Sequence, residues 1–322
     1  MQLYTGKNEF ISINLRDNVS VVNIDLQADS DILGIQALTD DIISVKDPQI
    51  LLSGGVDSEL AVKAAIRSGK SFTAHTAVYT YRNTVINEHD IKYAIELMQE
   101  HNLTEHHILH YLDLEQFLVD GKFTEYAVNY QCISPQLSCH LWLLDQITSG
   151  TPVLGGDMMN FLQVPHSGAV VVWYREFKYF TYDIYFAKNQ RPGVSSLLSN
   201  SPETVCASLR AQQNTVNHYA YMGQTNEYIY DRKRAVYTEM GFALDPKPVK
   251  YTGFEEIIQL YHDKYSRDPN YPDVYREFNS RFRHCIQQSI TVPQDTIVML
   301  SPLLEDKRKK YEDILNEHIR KF

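Results

Sequence analysis

Six consecutive residues, Ser53, Gly54, Gly55, Val56, Asp57 and Ser58, combine backbone freedom, two hydroxyls and one carboxylate. Adjacent glycines let the chain turn tightly and approach a ligand with no Cβ in the way, and a helix beginning there would present free N–H groups to an anion. The two serines can donate to phosphate oxygens. Asp57 would repel phosphate unless a divalent cation stood between them, so the loop implies phosphate together with Mg²⁺. No lysine follows the glycines, so this is not the GxxxxGK[ST] loop of kinases and GTPases. A second glycine-rich acidic turn, Gly155, Gly156 and Asp157, follows Pro152 to Leu154.

The elements that must position these turns are read from a period that keeps switching. Residues 49–52 predict a short buried strand, and Ser58 to Ser68 a helix stopped at Gly69. Further strands are predicted over 72–79, 106–112 and 151–154. A helix is predicted over 88–101, and another is opened by Ser134 with Pro135 at its first position and stopped at Gly150. Alternating strands and helices give an α/β fold with a doubly wound parallel sheet from about 49 to 165. In such a sheet all carboxyl ends share one rim, so the Ser53 and Gly155 turns should face each other. Residues 1–48 read as a lead-in with a β-hairpin over 10–26. Residues 166–322 read as an aromatic-rich segment, strands or loop over 169–186, followed by a mainly helical part with helices at 228–240, 254–265, 275–288 and 303–322.

SGGVDS at the end of the first strand of an α/β run resembles the signature of the PP-loop, or N-type ATP pyrophosphatase, superfamily. The nearest likeness is to the synthetase domain of asparagine synthetase. The resemblance implies ATP and Mg²⁺ as cofactors, cleavage of ATP to AMP and pyrophosphate, and an adenylated acceptor that a nitrogen nucleophile then attacks. It implies nucleotide contacts from Ser53, Gly54, Gly55, Val56, Asp57 and Ser58, from the region Ala77, Val78 and Tyr79 for adenine, and from Gly155 and Gly156. Asp57 and Asp157 become the implied Mg²⁺ ligands. A pyrophosphate-binding cation from later in the chain points to Lys247 or Lys250, with Lys178 and Arg175 as rivals.

The tRNA 2-thiouridylases also carry SGGVDS and use two cysteines, so Cys132 and Cys206 leave a sulfur transferase, or a nucleoside-modifying enzyme resembling 7-cyano-7-deazaguanine synthase, as the alternative. An ATP-binding protein without turnover is the third reading. Gln2, not cysteine, follows Met1, and 48 residues precede the core; nitrogen is therefore expected from ammonia, an amine or a separate ammonia donor.

Bulk composition narrows the partners. Among 322 residues, 30 Lys and Arg stand against 40 Asp and Glu, a net charge of −10 with an acidic N-terminal stretch, which argues against a nucleic-acid partner. Apolar runs such as Ala169 to Trp173 fall far short of the roughly 18 residues of a membrane span, and the start has no signal-peptide pattern, so a cytoplasmic protein is expected. Four cysteines without a CxxC spacing read as reduced thiols. His106, His107 and His110 lack the neighbours of a metal site and read as structural. A small-molecule acceptor is the expected partner, with homo-oligomerisation left open.

Overall fold

The computed structural model describes residues 21–23, 34–158, 160–164, 170–174, 178–219, 226–244, 246–247, 254–267, 273–282 and 289–292. In chain order these form β1 (Val21–Asn23), α1 (Gly34–Ser44), β2 (Pro48–Leu51), α2 (Val56–Ser68), β3 (Thr73–Tyr81), β4 (Thr84–Val85), α3 (Glu88–Glu100), β5 (His107–Asp113), α4 (Leu114–Val119), α5 (Lys122–Tyr130), α6 (Pro135–Gln146) and β6 (Thr151–Leu154). The remainder are β7 (Asn160–Val164), β8 (Val170–Tyr174), α7 (Lys178–Lys188), α8 (Pro202–Tyr219), α9 (Asn226–Glu239), α10 (Phe254–Tyr265), α11 (Val274–Phe282) and β9 (Ser289–Val292).

The fold is α/β, with a central sheet of mostly parallel strands. β2 pairs in parallel with β3 and with β6, β3 pairs in parallel with β5, and the short β4 folds back antiparallel on β3. The chain therefore steps outward from β2 through β3 to β5 and then returns to β6 on the other side of β2. That reversal opens a crevice beyond the carboxyl ends of β2 and β6. Successive residues of each strand feed different cores. Ile50, Leu52, Ala74 and Val153 pack with α1, α2, α3 and the Val236 to Met240 end of α9, whereas Ala77, Tyr79 and Leu154 pack with α4 to α7, α10 and α11. The two cores thus draw on different sets of helices.

Local chemistry explains the boundaries. Gly69 ends α2 in the left-handed conformation at φ 67°, its N–H bonded to the Ile66 carbonyl. Pro135 opens α6 as expected, although the Ser134 side chain makes no capping hydrogen bond. Asp113 caps α4 by accepting from the Glu115 and Gln116 amides, an element that the sequence reading left unassigned along with α5 and α8. One expectation is corrected. The second half of the aromatic segment, expected as strand or loop, is the helix α7, buried continuously from Thr181 to Phe186. The helix expected over 275–288 is described as α11 up to Phe282, residues 283–288 lie outside the described residues, and β9 begins at Ser289. Of the expected hairpin over 10–26, only β1 is described; it pairs in parallel with β9 in a second sheet ordered β1-β9-β8-β7. The helix expected over 303–322 lies outside the described residues. Among the described residues no helix is long and apolar enough to cross a membrane.

Two of the described histidines, His75 and His110, meet on the adjacent strands β3 and β5. His75, 4% exposed on β3, sets Nδ1 2.9 Å from His110 Nε2 and Nε2 2.8 Å from the Gln49 side-chain oxygen. Burial, reinforced by His110, His107 and Arg191, lowers its pKa from 6.5 to about 4. The unfolded chain takes up this proton near pH 6.5 and the folded chain near pH 4, so the stabilisation is complete above 6.5 and is lost as pH falls between those values. The loss amounts to about 3 kcal/mol. Burial shifts His107 and His110 in the same direction. Urea midpoints are expected to fall steeply from pH 7 to pH 5, and His75→Gln to lose most of that slope; an unchanged slope in the variant would assign the acid sensitivity elsewhere.

Candidate functional site

The crevice beyond β2 and β6 is a cleft of about 230 Å³ whose lining includes Ser53, Asp57, Ser58, Gly155 and Gly156. Gly54 adopts φ 72°, a conformation that L side chains rarely adopt, and a Cβ there would strike the Asp90 carbonyl. Gly55 is extended and stands at the N-cap of α2. The Ser53 amide donates to Ser58 Oγ at 3.2 Å, the two serine hydroxyls lie 3.3 Å apart, and Ser58 Oγ donates to the Gly55 carbonyl at 2.9 Å. The hydroxyls are thereby gathered beside the first turn of α2. Val56, by contrast, is a core residue of that turn.

The second turn touches the first. A Cβ on Gly155 would collide with the Asp57 carbonyl, and one on Gly156, at φ 85°, with Ser196 Oγ. Ser196 is held there because residues around Val194 run beside β6, with the Val194 amide on the Pro152 carbonyl at 2.8 Å and the Leu154 amide on the Val194 carbonyl at 2.9 Å. The two glycine-rich turns are thus pressed together from both sides.

Lys233 of α9 joins them. Its Nζ lies 2.8 Å from Asp57 Oδ2 and 2.9 Å from Asp157 Oδ1, and Tyr237, one helical turn on, donates its hydroxyl to Asp57 Oδ1 at 2.5 Å. Burial opposes the Lys233 charge, but Asp157 and Asp57 outweigh it and hold the ammonium above the ordinary lysine range. Burial lifts the Asp57 carboxyl above its usual range; Lys233 pulls it down and the like charge of Asp157 adds to the rise. Two carboxylates share one ammonium, leaving one negative charge in excess.

Lys247 also reaches the loop, donating to the Gly54 carbonyl at 3.0 Å and pairing with Glu59, itself 1% exposed. Glu59 receives Lys63 as well, at 2.9 Å. Lys247 therefore clamps the loop from behind α2. Lys250 and Arg175 lie outside the described residues, as does the Lys178 side chain. The sequence reading missed Lys233 and Tyr237; their spacing of four on a predicted helix was the available signal, but the run Arg232, Lys233, Arg234 gave no reason to choose among three cations.

The far wall of the cleft is formed by Ala77 and Tyr79 of β3, Asn87, Gln136 and His140 of α6, and Tyr182 of α7. Thr76 of the same strand also lines the cleft, whereas Val78, between Ala77 and Tyr79, does not. Asn87 donates to the Ala77 carbonyl and accepts from the Tyr79 amide, both at 2.9 Å, fixing that strand edge. His140 Nδ1 lies 2.7 Å from the Tyr182 hydroxyl. Cys132 does not reach this wall. It is 0% exposed, and burial pushes its thiol up to about 12, so it is not a thiolate at neutral pH. The Cys206 side chain lies outside the described residues.

Among the described residues no group of three or more His, Cys, Asp or Glu side chains could hold a metal ion unaided. Asp57 and Asp157 do suit Mg²⁺, which is usually bound through one or two carboxylates with the rest of its shell from substrate phosphates and water.

No protein-family model and no curated protein matches the chain. Among solved structures it is similar to an NMN synthetase from Francisella tularensis, at 15% identity over 75% of this chain and 94% of that one, with a TM-score of 0.27. A likeness of that size identifies neither fold nor activity.

Proposed function

We propose that the chain is an ATP-dependent adenylating synthetase of the PP-loop ATP pyrophosphatase type, with a doubly wound core over residues 49–165, an N-terminal lead-in over 1–48 and a C-terminal part over 166–322. In this reading ATP is cleaved between its α and β phosphates, and an acceptor oxygen becomes AMP-bound before a nitrogen nucleophile displaces AMP. The observation that carries the reading is the meeting of two glycine-rich turns at the crevice between β2 and β6, with Asp57 and Asp157 converging there on Lys233.

Each residue has a physical task. Ser53, Ser58 and the first amides of α2 receive the β and γ phosphates. The flat Gly155 and Gly156 backbone leaves room for the α-phosphate and its adenosine beside Ala77 and Tyr79. Asp57 and Asp157 would hold Mg²⁺, which would supply positive charge against that of the departing pyrophosphate. Lys233 supplies the cation expected from the later chain, and Lys247 keeps the loop in shape. Gln136, His140 and Tyr182 offer hydrogen bonds to the acceptor. A nitrogen nucleophile is favoured over sulfur transfer by the burial and raised pKa of Cys132.

Phosphorus NMR of ATP and Mg²⁺ incubated with the protein and panels of small carboxylates, ureido compounds and deazapurine acids, each with ammonia, is expected to show AMP and pyrophosphate accumulating with one class. ADP and phosphate as the products would sink the reading.

A further inference from the structure

The shared ammonium of Lys233 has a meaning beyond pyrophosphate binding. Each carboxylate it bridges is also held by a donor that does not depend on it: the Tyr237 hydroxyl on Asp57 Oδ1 at 2.5 Å, and the Met158 amide on Asp157 Oδ1 at 2.7 Å. The two acids therefore stay aimed at one point whether or not the lysine is there. The ammonium reaches that point on a flexible four-carbon stem, whereas a guanidinium fork would be fixed by its planar geometry. The cluster also keeps a route to the cleft, because Asp57 remains 25% exposed and lines it.

We propose that Lys233 is the resident counter-ion of the metal site: without nucleotide its ammonium fills the place between Asp57 and Asp157 that a divalent cation takes once phosphate is present. The inference rests on the reading of the site as a metal and nucleotide site. Its consequence is an order of events. A bare divalent cation must displace a tethered ammonium held at high effective concentration, and would leave that ammonium without an anion. A nucleotide removes both obstacles, since its phosphates give Lys233 a new partner and complete the shell of the metal. The protein thus admits the metal with the nucleotide and resists it alone. Lys247 is the contrast, for its partner Glu59 lies behind the loop and is 1% exposed.

The probe is Mn²⁺ alone, its free fraction followed by electron paramagnetic resonance. Without nucleotide, wild type and Lys233→Arg are expected to bind it weakly, and Lys233→Met and Lys233→Gln at least about tenfold more tightly. Lys247→Met should stay weak. In wild type, adding α,β-methylene-ATP should bring Mn²⁺ onto the protein. Thermal melts with and without Mn²⁺ cover a variant that folds poorly: a rise in midpoint on adding Mn²⁺, larger in Lys233→Gln than in wild type, supports the proposal. Equal Mn²⁺ affinity and equal melting shifts in wild type and both neutral variants would overturn it, as would tight Mn²⁺ binding to wild type without nucleotide. Failure of wild type to bind the ATP analogue would instead remove the nucleotide reading, and would leave the Mn²⁺ comparison standing as a separate result.

Discussion

Asp57→Asn is expected to lower ATP cleavage by about a thousandfold or more while leaving the fold intact. The two halves of that expectation have separate causes. Asparagine presents no charge to a metal and cannot offset the phosphate charge that would face it, so the substitution removes an interaction needed as pyrophosphate leaves. The fold tolerates the change because burial lifts the Asp57 carboxyl above its ordinary range, so ionising this group is costlier in the folded chain than in water. Asparagine is the neutral form in shape, can still accept from Tyr237, and leaves Lys233 paired with Asp157 at 2.9 Å. Pyrophosphate release with whichever acceptor supports wild type, measured beside urea midpoints, tests both halves. Near wild-type rates at saturating Mg²⁺ would make the carboxylate structural, and a collapsed midpoint would mean that the Asp57 charge is needed to hold α9 against the loop.

That variant probes the part of the molecule most legible from sequence. The loop was readable because its chemistry is local: glycines, hydroxyls and a carboxylate lie within six residues, between a strand of Ile50 and Leu51 and a helix whose Leu60, Ala61, Ala64 and Ala65 keep helical spacing. The facing turn at Gly155 was readable because parallel strands share a rim. Lys233 was not, since its partner Asp57 lies 176 positions away and no periodicity links one helix face to a distant loop. The helix α7 was hidden for another reason. Thr181 to Phe186 are all buried, so no polar face marks the 3.6-residue period, and the tyrosines and phenylalanines read as strand formers. In α8, Thr204, Ser208 and Gln212 form a buried polar face at spacing four, the inverse of the apolar stripe by which helices are recognised. Asp41 shows what such a face is for, taking the Thr204 hydroxyl at 2.7 Å and the Ser201 hydroxyl at 2.9 Å from α1.

Gly155→Ala carries the second large effect, and it acts through position rather than charge. The added methyl would overlap the Asp57 carbonyl, which is backbone and cannot rotate away, and would crowd the Ser58 amide at 3.0 Å. The turn must therefore move off the loop, at a cost of about 1–3 kcal/mol of stability. Asp157 moves with it, so Lys233 can no longer meet both carboxylates at 2.8 and 2.9 Å, and the anion cradle and the second acid lose their register. A displacement of about 1 Å at reacting groups costs on the order of a hundredfold, and Mg·ATP affinity measured by calorimetry is expected to fall by at least that much. Gly69→Ala is the matched control. Gly69 has φ 67°, so alanine there also meets left-handed strain of about 1 kcal/mol, but nothing lies within 4 Å of its Cβ position at the far end of α2. The two variants should lose comparable stability and differ sharply in nucleotide affinity. Equal affinities would mean that the two glycine-rich turns merely pack against each other, and that the contact between Gly155 and Asp57 plays no part in holding a nucleotide.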